Sequence, residues 1–186
     1  GHCRGAIYGD VLANLLKFNG NKVTKEYYIN DYGNQIKSFV ESVHFRILEI
    51  KYKKEFPRKE NLYPGLYIKE IAKKIIEENI DLDLRDFNKN FKFLKKESIK
   101  SSMELIKKDL KLLGISHDNF SSETDIVGKD LVNKAVNKLK EKKFVEEGFL
   151  QPPKGESNEN WKKIKRLIFK STLFGDDTDR ALQKND

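Results

Sequence analysis

The chain has 186 residues, with 37 basic against 29 acidic and a formal charge of +8. That length holds one domain, or one and a fraction, around a real hydrophobic core. With 38% hydrophobic and 35% charged residues, no apolar run nears the roughly 20 residues a membrane helix needs, and no secretory signal is visible, so a cytosolic protein is the default.

In chain order, residues 3–18 read as an amphipathic helix. Ile7, Val11, Leu15 and Phe18 fall on one face, with Leu12 and Leu16 beside them. Gly5 and Gly9 lie four apart, on one side of that helix, and are expected to permit close helix–sheet packing. Asn19-Gly20-Asn21 stops it. Residues 22–29 carry Val23, Thr24, Tyr27, Tyr28 and Ile29 and read as a strand. Helix, turn and strand together suggest half of a Rossmann-like α/β unit. A loop over residues 30–34 leads into a long helix to about residue 54, periodic in Ile36, Phe39, Val40, Val43, Ile47, Leu48 and Ile50.

Pro57, Pro64 and Gly65 mark residues 55–66 as a connector. A helix over residues 66–79 buries Ile68, Ile71, Ala72, Ile75 and Ile76. A longer one over residues 91–113 carries Leu94, Met103, Ile106 and Leu110, and Gly114 ends it. Residues 115–121 are a short strand candidate. Residues 128–143 form a helix with Leu131, Val132, Ala135, Val136 and Leu139 inward. Phe144-Val145 and Phe149-Leu150 suggest a hairpin around Gly148, ended by Pro152-Pro153. Residues 166–171 read as a strand, and from Phe174 onward the chain reads as an acidic loop.

A lone cysteine, Cys3, excludes an internal disulfide framework and multi-cysteine zinc sites, and it suits a small buried position. His2, His44 and His117 are too dispersed for a metal cluster, so no structural metal is expected. With six arginines, 31 of the 37 basic residues are lysine. The basic balance fits a nucleic-acid partner, yet Lys, Asn and Ile richness also fits low-GC coding. Both readings stay open.

Gly1-His2-Cys3-Arg4-Gly5-Ala6-Ile7-Tyr8-Gly9-Asp10 resembles the second half of a His-x-Gly-His signature and the helix after it. Val23-Thr24-Lys25-Glu26-Tyr27-Tyr28-Ile29-Asn30-Asp31-Tyr32-Gly33-Asn34-Gln35-Ile36 is similar to the strand and loop that follow in the same family. Glu104 to His117-Asp118, a helix ending in the Leu113-Gly114-Ile115 turn, Phe144 to Lys154, and Phe169 to Arg180 resemble later blocks in the same order. The family is that of the class I aminoacyl-tRNA synthetases, and within it the arginine-specific enzymes.

The resemblance implies an α/β fold: a partial Rossmann-like class I synthetase catalytic core with a largely helical α+β insertion. Residues 1–50 are expected to be the first part of the core and residues 51–186 the connecting insertion. The implied reaction is ATP-dependent activation of L-arginine to arginyl-adenylate, followed by transfer to tRNA(Arg). Mg2+ would accompany the nucleotide, and a monomer is expected at full length. Gly1 and His2 are assigned to ATP, His2 to catalysis, and His2, Asn34 and Gln35 to the amino acid. The chemistry is coherent. A helix N-terminus offers free amides and partial positive charge, and His2 adds a donor aimed at the charge developing on the α-phosphate.

Competing roles accompany each residue. Asp10 either positions a ligand or packs the helix. Asn30, Asp31, Asn34 and Gln35 either line a substrate pocket or satisfy loop backbone. Asp176, Asp177 and Asp179 read as a solvated loop, and His44 and His117 as structural. Lys95, Lys96, Lys107, Lys108, Lys162 and Lys163 either meet tRNA phosphates or form solvated faces.

The family's first signature histidine, the preceding strand and the downstream arginine-holding residues are not in the sequence. The chain is therefore expected to be a piece of a longer enzyme that does not aminoacylate by itself. Two other readings are a non-catalytic basic tRNA-binding module and another class I synthetase or nucleotidyl transferase.

Overall fold

A computed structural model of the chain describes residues 2–150 and 164–182, with the backbone alone of His2. Two compact units divide after Asp125, residues 1–125 and 126–186. These units are defined by packing. The division expected at residue 50 separates core from insertion and is of another kind.

In the first unit, α1 (His2–Phe18) stops at Gly20, which takes φ 82°. The Gly20 and Asn21 amides there bond back to the Lys17 and Leu16 carbonyls. The chain doubles back, and residues 23–26 lie beside Gly5, Gly9 and Ala13 of α1. Strand β1 (Glu26–Ile29) pairs in parallel with β2 (Asn119–Ser122), in register from Glu26↔Asn119 to Ile29↔Ser122. Both strands are shorter than expected. The Lys25 carbonyl takes the Asp118 and Asn119 amides, so the ladder begins only there. Residues 22–25 and 115–118 approach it outside the ladder.

The apolar stripe expected on α1 does not face a core. Ile7, Val11, Leu15 and Phe18 are exposed, Phe18 at 90%, and only Ala13 is buried. Apolar residues circle this helix, while the side turned toward residues 23–26 carries Gly5, Gly9 and Ala13.

The core of this unit belongs to three helices: α2 (Asn34–Tyr52), α3 (Leu66–Glu78) and α4 (Phe87–Leu112). Val40, Val43 and Ile47 of α2 meet Ile68, Ile71, Ala72 and Ile75 of α3, and Leu94 of α4 closes the cluster. Each set follows the 3.6-residue period read from sequence. Helix α4 starts four residues before its expected position because Asp86 caps it, its side chain accepting from the Lys89 amide.

Polar groups staple the loops to this core. Arg46 donates to the Pro64 carbonyl and lies over the Phe56 ring. Ser42 Oγ takes the Tyr63 amide, and Tyr52 Oη takes the Leu84 amide. His44 is buried, and its Nε2–H donates to the Leu84 carbonyl at 2.9 Å.

Burial, followed by weaker opposing effects of the Leu84 and Arg85 backbone and Glu41, leaves the His44 imidazole below its usual 6.5. The neutral ring is therefore favoured in the fold. Below that pH the unfolded chain takes up a proton that the folded chain resists. Stability from this group is complete above 6.5 and declines as pH falls toward the folded-state value. We expect the urea midpoint to fall between about pH 8 and about pH 5 and to fall less in His44→Gln. Equal slopes in the two proteins would remove His44 from the acid sensitivity.

In the second unit, α6 (Leu131–Glu141) precedes a three-stranded antiparallel sheet of order β3-β4-β5. Its strands are β3 (Val145–Gly148), β4 (Arg166–Phe169) and β5 (Arg180–Ala181). A short helix, α5 (Glu123–Gly128), absent from the sequence reading, leads into this unit.

The hairpin expected around Gly148 is not formed. Gly148 lies within β3 opposite Arg166, and the partner strand is β4. Glu146 and Glu147 are matched by Lys170 and Lys165 at 2.5 and 2.6 Å, which favours this long-range pairing. A Cβ at Gly148 would stand 3.1 Å from Ile168 Cδ1, so the glycine also suits the close approach.

The segment read as an acidic loop contributes β5. Asp176 grips Arg180 at 2.7 Å, and this pairing holds its carboxyl well below the usual range. Asp179 accepts from Thr172. Leu131, Val132 and Ala135 of α6, expected inward, are exposed, since α6 offers only part of its circumference to β3.

Candidate functional site

In open parallel sheets, ligands collect beyond the carboxyl ends of the strands. Here those ends are Ile29 of β1 and Ser122 of β2. Asp31, two residues past β1, joins them. Its Oδ2 accepts from Ser122 Oγ at 2.7 Å and its Oδ1 from the Thr124 amide at 2.8 Å. Thr124 Oγ1 donates in turn to the Asp31 carbonyl at 2.9 Å. Burial pulls the Asp31 carboxyl upward, but the Ser122 and Thr124 donors, with Lys95 nearby, outweigh it and hold the group below its usual value. Asp31 is therefore anionic and fully engaged.

Glu123, next in chain after β2, lies beside Tyr28, whose hydroxyl is shifted above its usual value by burial and then by the Glu123 carboxylate. Glu123 was not singled out from sequence. A carboxylate placed one residue after a strand end, at a sheet's binding edge, is recognisable only once β2 is known to be parallel to β1.

A cavity of about 300 Å³ opens at this edge. Asn30, Asp31 and Gln35 form its polar side, and Phe39, Tyr63 and Tyr67 are among its apolar walls. Gly33 makes the bend between β1 and α2 at φ 86°, a conformation costly for other residues, and leaves α2 with no side-chain cap. Gln35 thus reaches the cavity. Asn34, the first residue of α2, is exposed and is not on its wall. Of the four loop candidates, Asp31 satisfies backbone and Asn30 and Gln35 face the cavity.

His2 is the first residue of α1, in agreement with the reading of a helix start; Gly1 lies outside the described residues. Helix α1 is tied to the sheet through Lys25. Its Nζ meets Asp10 Oδ1 at 2.7 Å, with both side chains nearly buried, and its amide donates to Asp118 Oδ2 at 2.7 Å. Lys25, ahead of the weaker effects, holds the Asp10 carboxyl below its usual value. Asp10 is therefore a packing carboxylate.

Gly5 and Gly9 do not make the close packing expected of them. A Cβ at either would meet nothing within 4 Å, and both line a cavity of about 310 Å³ with His117 and Lys25. Cys3, expected buried, is exposed. His117 lies edge-on to Tyr27 with ring centres 5.4 Å apart.

Among the candidate lysines, Lys95 Nζ stands 3.4 Å from Thr124 Oγ1, and Lys107 lies over the Phe120 ring at 4.2 Å. Lys96 and Lys108 are exposed. Pro152-Pro153, Lys154, Lys162 and Lys163 fall outside the described residues. Among the described residues, no helix is long and apolar enough to cross a membrane.

Residues 1–149 match the family model of the class I tRNA synthetases (R), catalytic domain. The chain is 55% identical along its whole length to an arginine–tRNA ligase of Pelagibacter ubique and 48% identical to one of Ehrlichia chaffeensis, covering 32% of each. Its fold is similar to that of a solved arginyl-tRNA synthetase from Campylobacter jejuni, with a TM-score of 0.76 at 28% identity, over all of this chain and 37% of that one. The chain thus spans about a third of the length of its curated relatives. Its parallel β1–β2 pair and its helices fit a partial α/β core with a helical insertion. On the match over residues 1–149, the chain belongs to the class I tRNA synthetases (R) and carries part of their catalytic domain.

Proposed function

We propose that the full-length protein is an arginine–tRNA ligase, which uses ATP to form arginyl-adenylate from L-arginine and transfers the arginyl group to tRNA(Arg). The observation that carries this reading is the 55% identity to such a ligase along the whole chain. The local chemistry supports it. Helix α1 begins at His2, and the amides and imidazole of such a helix start suit the α-phosphate of ATP. Mg2+ in this reading arrives on the nucleotide; among the described residues no group of three or more His, Cys, Asp or Glu converges to hold a metal. His2, Asn34 and Gln35 are the proposed contacts to the amino acid.

In this proposal Glu123 is one further carboxylate for the guanidinium, beside the arginine-holding residues expected farther along the enzyme. It stands at the carboxyl edge of β2, where its carboxylate meets the Tyr28 hydroxyl. Residues 1–50 are the start of the catalytic core in this proposal, and residues 51–186 the insertion near the acceptor end. The protein acts in the cytoplasm, as a monomer.

The test is charging of tRNA(Arg) by the full-length protein with each amino acid in turn; arginine alone should give product, and charging with another amino acid instead would overturn the reading. Glu123→Gln should raise the KM for arginine about tenfold or more, as expected for a lost charge-assisted hydrogen bond, and leave the KM for ATP unchanged. An unchanged KM for arginine would free Glu123 from this role.

A further inference from the structure

Asp31 pins the chain on both sides of Glu123, through Ser122 Oγ and the Thr124 amide. The backbone that carries Glu123 is therefore fixed. Its side chain still has rotors to settle, and a guanidinium fork pairs well only with a carboxylate held in the right plane.

Strands β1 and β2 run parallel in register, so Tyr28 stands opposite Ser121 and shares a face of β1 with Glu26. Side chains on this face meet along a diagonal. Glu26 accepts from Ser121 Oγ, two residues further along β2 than its register partner Asn119. The same step carries Tyr28 past its partner Ser121 to Glu123, whose carboxylate meets the Tyr28 hydroxyl. Diagonal neighbours in a ladder are within reach of an aromatic side chain.

A phenol is suited to holding a carboxylate that must still bind a cation. It is neutral, so it leaves the charge in place, and its single O–H occupies one of several acceptor positions on the two oxygens. Burial, and after it Glu123, shifts the Tyr28 hydroxyl above its usual value, so at neutral pH the proton stays on Tyr28 and the group remains a donor.

We propose that Tyr28 is a positioning residue for the amino acid: its hydroxyl donates to Glu123 and holds that carboxylate in the plane a guanidinium fork requires. This rests on the reading of the protein as an arginine ligase with Glu123 at the guanidinium. Tyr28 acts through Glu123, and a carboxylate oriented before arginine arrives has less freedom to lose on binding.

The experiment compares four forms of the full-length protein in the charging of tRNA(Arg): wild type, Tyr28→Phe, Glu123→Gln and the double variant. Tyr28→Phe removes only the hydroxyl, and the side chain is 54% exposed, so the variant should fold. Its KM for arginine should rise about fivefold, the scale of one lost hydrogen bond, with kcat and the KM values for ATP and tRNA unchanged. In the Glu123→Gln background the same substitution should add less than about twofold, because the carboxylate it orients is gone.

An unchanged KM for arginine in Tyr28→Phe overturns the proposal. So does a fivefold rise that recurs in full on top of Glu123→Gln, which would mean that Tyr28 acts independently of that carboxylate. Both results can occur in an enzyme that charges arginine alone, so the ligase reading survives them. Charging of a different amino acid by the wild type would overturn that reading and this proposal with it.

Discussion

Replacing His2 by alanine in the full-length protein should slow arginine activation by at least about tenfold, and up to a hundredfold or more if its donor acts only on the transition state. Helix α1 runs 17 residues from His2 and has no acidic residue in its first turn. Its terminal amides therefore keep their partial positive charge for an incoming anion. When the carboxylate of the amino acid attacks the α-phosphorus, negative charge grows on the non-bridging oxygens. A donor fixed at that helix end strengthens as this charge grows, so the loss should fall on kcat more than on the KM for ATP. Pyrophosphate exchange in the presence of ATP, arginine and tRNA measures it. His2→Asn, which keeps a donor, should recover part of the rate. A His2→Ala protein with unaltered kcat would take the imidazole out of the reaction.

The parts of this fold that could be read in the sequence are those whose signal is local. Helices α2, α3 and α4 bury Val43, Ile47, Ile71, Ile75 and Leu94 at the spacing that their sequence displays. Strand β1 was legible from Tyr27, Tyr28 and Ile29 but came out short, because its length is set by where Asp118 and Asn119 arrive from 93 residues away. The pairing of β3 with β4 was missed for the same reason. Two glutamates in β3 find lysines beyond a long intervening segment, and no local pattern around Gly148 announces that.

The apolar residues of α1 share a face and those of α6 are expected inward, and most of both sets are exposed. Periodicity tells which residues share a face, not whether a partner covers that face. At the site, Asp31 and Gln35 were visible as polar loop residues. Their division of labour, one locked into the strand ends and one facing a cavity, depends on Ser122 and Thr124 and so on the tertiary fold.

The Asp31 network should be the costliest polar loss in the first unit. Asp31→Ala leaves Ser122 Oγ and the Thr124 amide, both partly buried, without their acceptor. Hydrogen bonds to a charged group are worth about 1.5–3 kcal/mol each, and the two share one carboxylate, so a loss of about 2–4 kcal/mol is expected in urea unfolding. Asp31→Asn should lose less, since its single carbonyl oxygen still serves one donor while its NH2 faces the other.

The pH dependence separates this from a packing defect. The Asp31 carboxyl is held below its usual 3.8, so its contribution is complete above that value and disappears as pH falls through the folded-state value. Wild type and Asp31→Ala should therefore differ fully at neutral pH and converge in strong acid. A gap that persists there would mean that the side chain acts by filling space. Because Ser122 immediately precedes Glu123, a slackened strand end should also displace the guanidinium partner. The KM for arginine should rise in Asp31→Ala even under conditions where the protein is fully folded. A folded variant with normal arginine KM would show that the end of β2 holds its position without Asp31, and that the carboxylate serves stability alone.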